Sequence, residues 1–256
     1  MLSTQALGTE LATRVRSAVS AVAFLTGQSE AHAESELASL AGVVVNPVRQ
    51  DRIAQAYDTM PRIPYGMREL REACHAWTVF ALEIRAQWDA LHSLGFSLTV
   101  ESFDPYAGPA EMFADVADYR IRVLATDVCG EHPYLSNEDN DLFRAVHDIL
   151  GHAATGRGFD RHGEEAAYQS HCRMFSPVAR LALATETRGQ NASLHSNGRF
   201  PVQRLGILPG WARETDALAF GLPITFDDMR AEAAAHQDAH TYALREGIAQ
   251  RPSQSL

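Results

Sequence analysis

Residues 67–94 read MRELREACHAWTVFALEIRAQWDALHSL. Within them Leu70, Cys74, Trp77, Ala81, Ile84 and Trp88 recur at spacings of three and four. That spacing lines them along one stripe of a helix and predicts a core-facing helix over 67–94, stopped by Gly95. Working upstream, the same reading gives helices over 4–26, 29–41 and 47–58. Downstream come two strand candidates, Phe96–Val100 and Tyr119–Ala125, the second rich in residues that suit a pleated surface. Between them Asp104-Pro105-Tyr106-Ala107-Gly108-Pro109 reads as a loop with a short helix after it. The chain turns helical again from Asn137, with Asn137 or Asn140 as N-cap and Leu142, Val146, Ile149 and Leu150 on the apolar side until Gly151 interrupts. A helix over 164–174 precedes Ser176-Pro177, a cap residue with proline at the first helical position, and the helix it starts runs to Arg188 and Gly189. Residues 192–211 read as an irregular loop and 226–250 as a closing helix. The expected fold is therefore α+β, mainly α: a helical single domain with a small β-sheet. It divides into an N-terminal helical region (1–95), a metal-binding core (96–211) and a C-terminal helical region (212–256).

Composition narrows the function classes. Of 256 residues 46% are hydrophobic and 21% charged, enough apolar side chains for a sizeable core and too many for a disordered chain. The 32 acidic against 22 basic residues, net charge −10, repel a nucleic-acid duplex or an anionic membrane. Every basic residue is Arg, so Schiff-base lysines, P-loop lysines and lysine general bases are excluded. Cys74, Cys129 and Cys172 are widely separated and odd in number, which gives no disulfide framework and fits a reducing cytoplasm. Arg14 and Arg16 before the apolar run 17–25, with Ala31-His32-Ala33 beyond, have the outline of a signal peptide, against which Glu10 and Glu30 argue. No stretch reaches the roughly 18 to 20 apolar residues that a bilayer requires. Neither nucleic acid nor membrane is therefore an expected partner.

The chemistry concentrates in Phe143-Arg144-Ala145-Val146-His147-Asp148-Ile149-Leu150-Gly151-His152. Histidines five apart diverge by about 140° on a regular α-helix, so a regular helix cannot aim both at one ion. Gly151 offers a departure from helical geometry that swings His152 back toward His147. Downstream, Glu186 ends an otherwise apolar helix, Val178 to Ala184, and a carboxylate drawn into the core needs a cation or several donors. Two imidazoles and one carboxylate on one side of a divalent ion form the facial triad that leaves positions open on Fe(II). An ion pair with Arg188 is the other reading of Glu186. Arg188, Gln190 and Arg122 are candidate contacts for substrate, and Glu164, Glu165 and His171 read as a solvated helix face, with a second metal site as the other reading.

His147-Asp148-x-x-Gly151-His152, followed after 34 residues by Glu186, resembles the H-[DE]-x-x-G-H…E iron motif of the aromatic amino acid hydroxylases. The resemblance covers residues 119–210, with Ala153-Ala154 where the family has a proline. It implies a mononuclear non-haem iron monooxygenase with a mainly helical fold, using tetrahydropterin as reductant. On that basis His147, His152 and Glu186 are Fe(II) ligands and Asp148 is the acidic residue near the pterin. Other readings stay open. An HD-type phosphohydrolase would use His147-Asp148 with His132 and Asp216. A helical di-iron oxygenase would use Glu72-x-x-His75, one half of the expected pair of elements. The helical context disfavours a jelly-roll oxoglutarate oxygenase. A plain interaction module would leave His236 and His240 as solvated helix residues.

Overall fold

In the computed structural model residues 14–213 are described; Asp216, His236, His240 and the expected closing helix 226–250 lie outside them. The first helices are α1 (Arg16–Thr26), α2 (Glu30–Leu40), α3 (Pro47–Thr59) and α4 (Met67–Ser93). Asn46 caps α3 by accepting from the amides of Val48 and Arg49, with Pro47 in the first turn where a missing N–H costs nothing. The 27 residues of α4 span about 40 Å. Trp77 and Ile84 of the expected stripe are fully buried, as the spacing predicts, and Phe80 and Leu91 beside them are too, while Leu70, Cys74 and Trp88 are partly buried. The buried Trp77 indole is satisfied too, its Nε1–H donating to the Leu205 carbonyl at 2.7 Å. On the outer face Glu72 and His75 are exposed, so this half of a di-iron motif points away from the core.

Strands β1 (Ser97–Glu101) and β2 (Arg120–Leu124) pair in parallel, Ser97 opposite Arg120 through Glu101 opposite Leu124. A parallel pair needs a crossover, and α5 (Pro109–Ala117) supplies it. After the single turn α6 (Thr126–Cys129) the chain enters α7 (Asn137–His147). Ser136 caps α7, not Asn137 or Asn140: its Oγ accepts from the Asp139 amide, while Asn140 Nδ2 turns inward to Thr126 Oγ1.

Helix α7 runs on into a π-helical segment, π1 (Asp148–Ala153). Helix α8 (Arg161–Cys172), capped by Asp160, packs back on it. Then α9 (Ala179–Ala184) passes into a second segment, π2 (Thr185–Gly189), and into α10 (Gln190–Asn197), where an irregular loop is expected. The loop proper is shorter and ends at α11 (Gly210–Arg213). Buried apolar side chains from Val15 to Ala212 form one cluster, and the amide of Val15 donates to the Ala153 carbonyl of π1 at 3.0 Å. The N-terminal helices thus share a core with the segment that carries the histidines. Among the described residues no helix is long and apolar enough to cross a membrane.

Candidate metal centre

The five-residue spacing of His147 and His152 is resolved by π1. Its closing amide, Ala154 N–H, reaches back to the Ile149 carbonyl, the i→i+5 bond of a π-turn. That bond brings residues five apart onto one side, as an α-helix does for residues four apart. The two imidazoles stand with ring centroids 5.2 Å apart at 87°. Gly151 contributes differently from the expectation. Its φ is not in the left-handed region; instead a Cβ there would lie 2.9 Å from Ala167 Cβ and 3.1 Å from the Ala167 carbonyl oxygen. The glycine is needed for close approach of α8. Ser170 fastens the same contact by donating to the Leu150 carbonyl at 2.7 Å.

This approach brings a carboxylate to the two histidines. Ligand atoms of His147, His152 and Glu164 all lie within 4.8 Å of one another, a group able to hold a metal ion. Glu164 Oε2 is 3.5 Å from His152 Nε2 and 4.0 Å from His147 Nε2. The expected carboxylate, Glu186, is not in the group. It is buried, and its Oε2 lies 3.5 Å from His132 Nε2. The physical reason is the packing of α8. Glu164 and His171 are seven residues apart, two helical turns, and so share the face pressed on π1. That face is not solvated: His171 is fully buried and Glu164 partly so, beside the contacts that Ala167 and Ser170 make with Gly151 and Leu150.

Hydrogen bonds fix which ring atoms are available. His152 Nδ1 is 3.1 Å from the Arg157 carbonyl, which can only accept, so Nδ1 carries the hydrogen and Nε2 faces Glu164. Burial lowers the His152 pKa, but Glu164 beside it outweighs burial and pushes it up to about 9. A proton and a metal ion therefore contend for the space between Nε2 and the carboxylate. His147 is held well below its ordinary value by burial and by His152, and its buried Nε2 has no hydrogen-bond partner. An orphaned, uncharged imidazole nitrogen aimed at a carboxylate is what a bound cation would satisfy. His132 has the opposite arrangement: its Nδ1 accepts from the amides of Tyr134 and Leu135 at 3.1 and 2.8 Å, which places the hydrogen on Nε2, facing Glu186. Neither that nitrogen nor Glu186 Oε2 has a hydrogen-bond partner, but in this tautomer the ring turns no lone pair toward the carboxylate.

The other expected site residues are placed as follows. Asp148 is partly buried and outside the ligand group; burial, reinforced by Glu164 and opposed by His152, pushes its pKa up to about 7. Arg188 is buried, pairs with Glu165, donates to the Ala212 carbonyl at 3.1 Å and stacks 4.3 Å over the Tyr168 ring. Arg122 pairs with Asp115 at 2.8 Å and lies over Tyr106. Gln190 is buried with its Nε2 unpartnered. Arg188 also lines a cleft between α3 and α8, with Arg49, Gln50, Ile53 and Arg161, and Glu164 forms one side of its wall. The sequence reading offered Glu164 only to a second metal and did not place it with His147 and His152; its seven-residue spacing to His171 was the available signal. Comparison of this chain with protein-family profiles, curated proteins and solved structures finds no match.

Proposed function

We propose that this chain is a mononuclear non-haem iron(II)-dependent oxygenase, a hydroxylase of a small amino-acid-like or aromatic molecule, with His147, His152 and Glu164 as the metal ligands. The observation that supports it most is the orphaned Nε2 of His147 facing Glu164 beside His152, in a group that is buried or nearly so. Two imidazoles and one carboxylate on a divalent cation match the donor set that leaves open positions on Fe(II). A ferrous ion there would supply the electrons without which dioxygen does not react with ordinary organic molecules.

The chain's own residues set the conditions. His147 and His152 bind, and the Glu164 carboxylate neutralises some of the metal charge. The Phe143 ring stacks 5.6 Å from His147, and Phe159 lies 5.0 Å from His152, so apolar walls keep water from two sides of the ligands. Tetrahydropterin as electron donor, with Asp148 near it, follows from the resemblance to the aromatic amino acid hydroxylases. The HD-hydrolase reading is less favoured, because it needs His132 as a ligand and that ring presents an N–H.

Metal analysis of protein purified without oxygen, followed by oxygen-consumption assays with and without a tetrahydropterin, tests the reading. About one iron per chain and oxygen uptake that both vanish in Glu164→Ala are expected. Two irons per chain would move the assignment to a di-iron oxygenase. Phosphate release with Mg or Mn and no oxygen requirement would move it to a hydrolase.

A further inference from the structure

Three buried side chains, His147, His171 and Gln87, and the carbonyl of the partly buried Met174 make a chain of contacts leading away from the proposed metal position. The Gln87 amide nitrogen donates to the Met174 carbonyl at 3.1 Å. A carbonyl can only accept, so this contact fixes which end of the Gln87 amide is nitrogen and leaves Oε1 facing His171 Nε2 at 2.7 Å. Oε1 can only accept, so His171 Nε2 carries its ring hydrogen. His171 Nδ1 is then a lone pair, and it lies 3.2 Å from His147 Nδ1. His147 Nδ1 must therefore be the donor, which strips the hydrogen from His147 Nε2, the atom facing Glu164. Any other arrangement sets two lone pairs or two hydrogens against each other at one of these contacts, inside a core where His171 and Gln87 are 0% and 4% exposed.

We infer that Gln87 and His171 are positioning residues for the metal site: the Met174–Gln87–His171 chain locks His147 in the tautomer that can bind a metal ion. This rests on the metal reading above, but the lock operates before any ion arrives. Its effect is to present a ready lone pair, where a free imidazole would divide between two tautomers and two ring orientations. The arrangement also fixes the order of dependence. Gln87 is on α4, two contacts removed from the ligand, yet its oxygen is what dictates the hydrogen on His147.

The primary measurement is side-chain ¹⁵N NMR of the histidines in metal-free wild-type protein at neutral pH. The expected result is His147 as the Nδ1–H tautomer and His171 as the Nε2–H tautomer; His147 found as Nε2–H overturns the inference without need of a variant. The second arm compares Gln87→Met, which keeps length but removes the acceptor, with Gln87→Glu, whose buried carboxyl stays protonated and can mimic the amide by donating to Met174 and accepting from His171. Gln87→Met is expected to mix the His147 tautomers and to weaken Fe(II) and Co(II) binding by about 10- to 100-fold, the range for losing an outer partner of a ligand. Gln87→Glu is expected to restore both. Wild-type metal affinity in folded Gln87→Met would overturn the inference. If the wild type bound no metal but showed the expected tautomers, the metal reading would fail and the lock would stand.

Discussion

The two π-turns are close in form and opposite in result. In π1 the Ala154 amide bonds to the Ile149 carbonyl, and in π2 the Gln190 amide bonds to the Thr185 carbonyl, each an i→i+5 closure within a buried helical run. Yet π1 gathers two histidines around a carboxylate from another helix, whereas π2 turns Glu186 toward His132 and Arg188 toward Glu165. The difference lies in what packs against each turn. Opposite π1 stands the small-residue face of α8, which admits the Glu164 and His171 side chains. Opposite π2 stand large apolar groups: a Cβ on Gly189 would meet the Tyr57 ring at 2.7 Å and a Leu208 methyl at 3.0 Å. A π-turn sets the phase of a helix, and the neighbouring surface decides whether that phase makes a site.

The largest expected effect separates the two carboxylates. Glu164→Gln should weaken Fe(II) binding by more than about 100-fold, beyond the range typical of outer partners. Glu186→Gln should leave it within about 10-fold, since its contact is with a histidine that presents an N–H. Isothermal titration or Co(II) absorbance under anaerobic conditions reads both. Equal losses in the two variants would erase the distinction between the turns and restore Glu186 as a ligand.

Next in size is the pair of glycines. Gly151→Ala puts a methyl against Ala167 Cβ, carbonyl oxygen and Cα, so α8 as a whole must move, and Glu164 moves with it. Overpacking of this kind costs about 1–3 kcal/mol, and here metal affinity should fall together with Tm. Gly189→Ala presses on side chains only, so Tm should fall while metal affinity holds. Denaturant melts paired with metal titrations check this, and a Gly151→Ala protein with unchanged affinity would show that the close approach of α8 is not what delivers Glu164.

Most of the frame was legible in the sequence, and the reason is periodic burial. The stripe through Trp77 and Ile84 predicts the central helix because each of those side chains must leave water, and both are fully buried. The histidine pair was legible because five-residue spacing is useless on a regular helix and so signals an irregular one. The carboxylate that joins them was not. Glu164, Glu165 and Glu186 are equally acidic in sequence, and what sorts them is which helix can come close. That depends on the contact of Gly151 with Ala167, sixteen residues downstream. Nor was the His132 tautomer legible, since it follows from two amides in the turn after it.

A smaller contrast concerns how the helices leading into the turns begin. Ser136 caps α7 at 3.1 Å from the Asp139 amide, and Ser176 Oγ accepts from the Ala179 amide at 3.3 Å ahead of α9. Each Ser→Ala should cost about 1 kcal/mol, with the longer bond at Ser176 giving the lesser loss in urea melts.

The smallest effect belongs to a group that supports only the first of these starts. Burial raises the pKa of Asp139, but hydrogen bonds from Arg85, at 2.6 and 2.8 Å, and from Ser136 outweigh it and hold the carboxyl below its ordinary value. A carboxyl whose pKa is lower folded than unfolded stabilises the fold above the unfolded value, near 4, and loses that contribution as pH falls through the folded value. Arg85 is largely exposed, so solvent screens the pair. Asp139→Asn should accordingly lower Tm by about 2 °C at pH 7. The gap between variant and wild type should narrow as pH drops below about 4. Salt should narrow it at neutral pH as well, because the exposed guanidinium is screened. A gap that widened on acidification would mean that Asp139 carries its proton in the folded chain, and α7 would then owe its start to Ser136 alone.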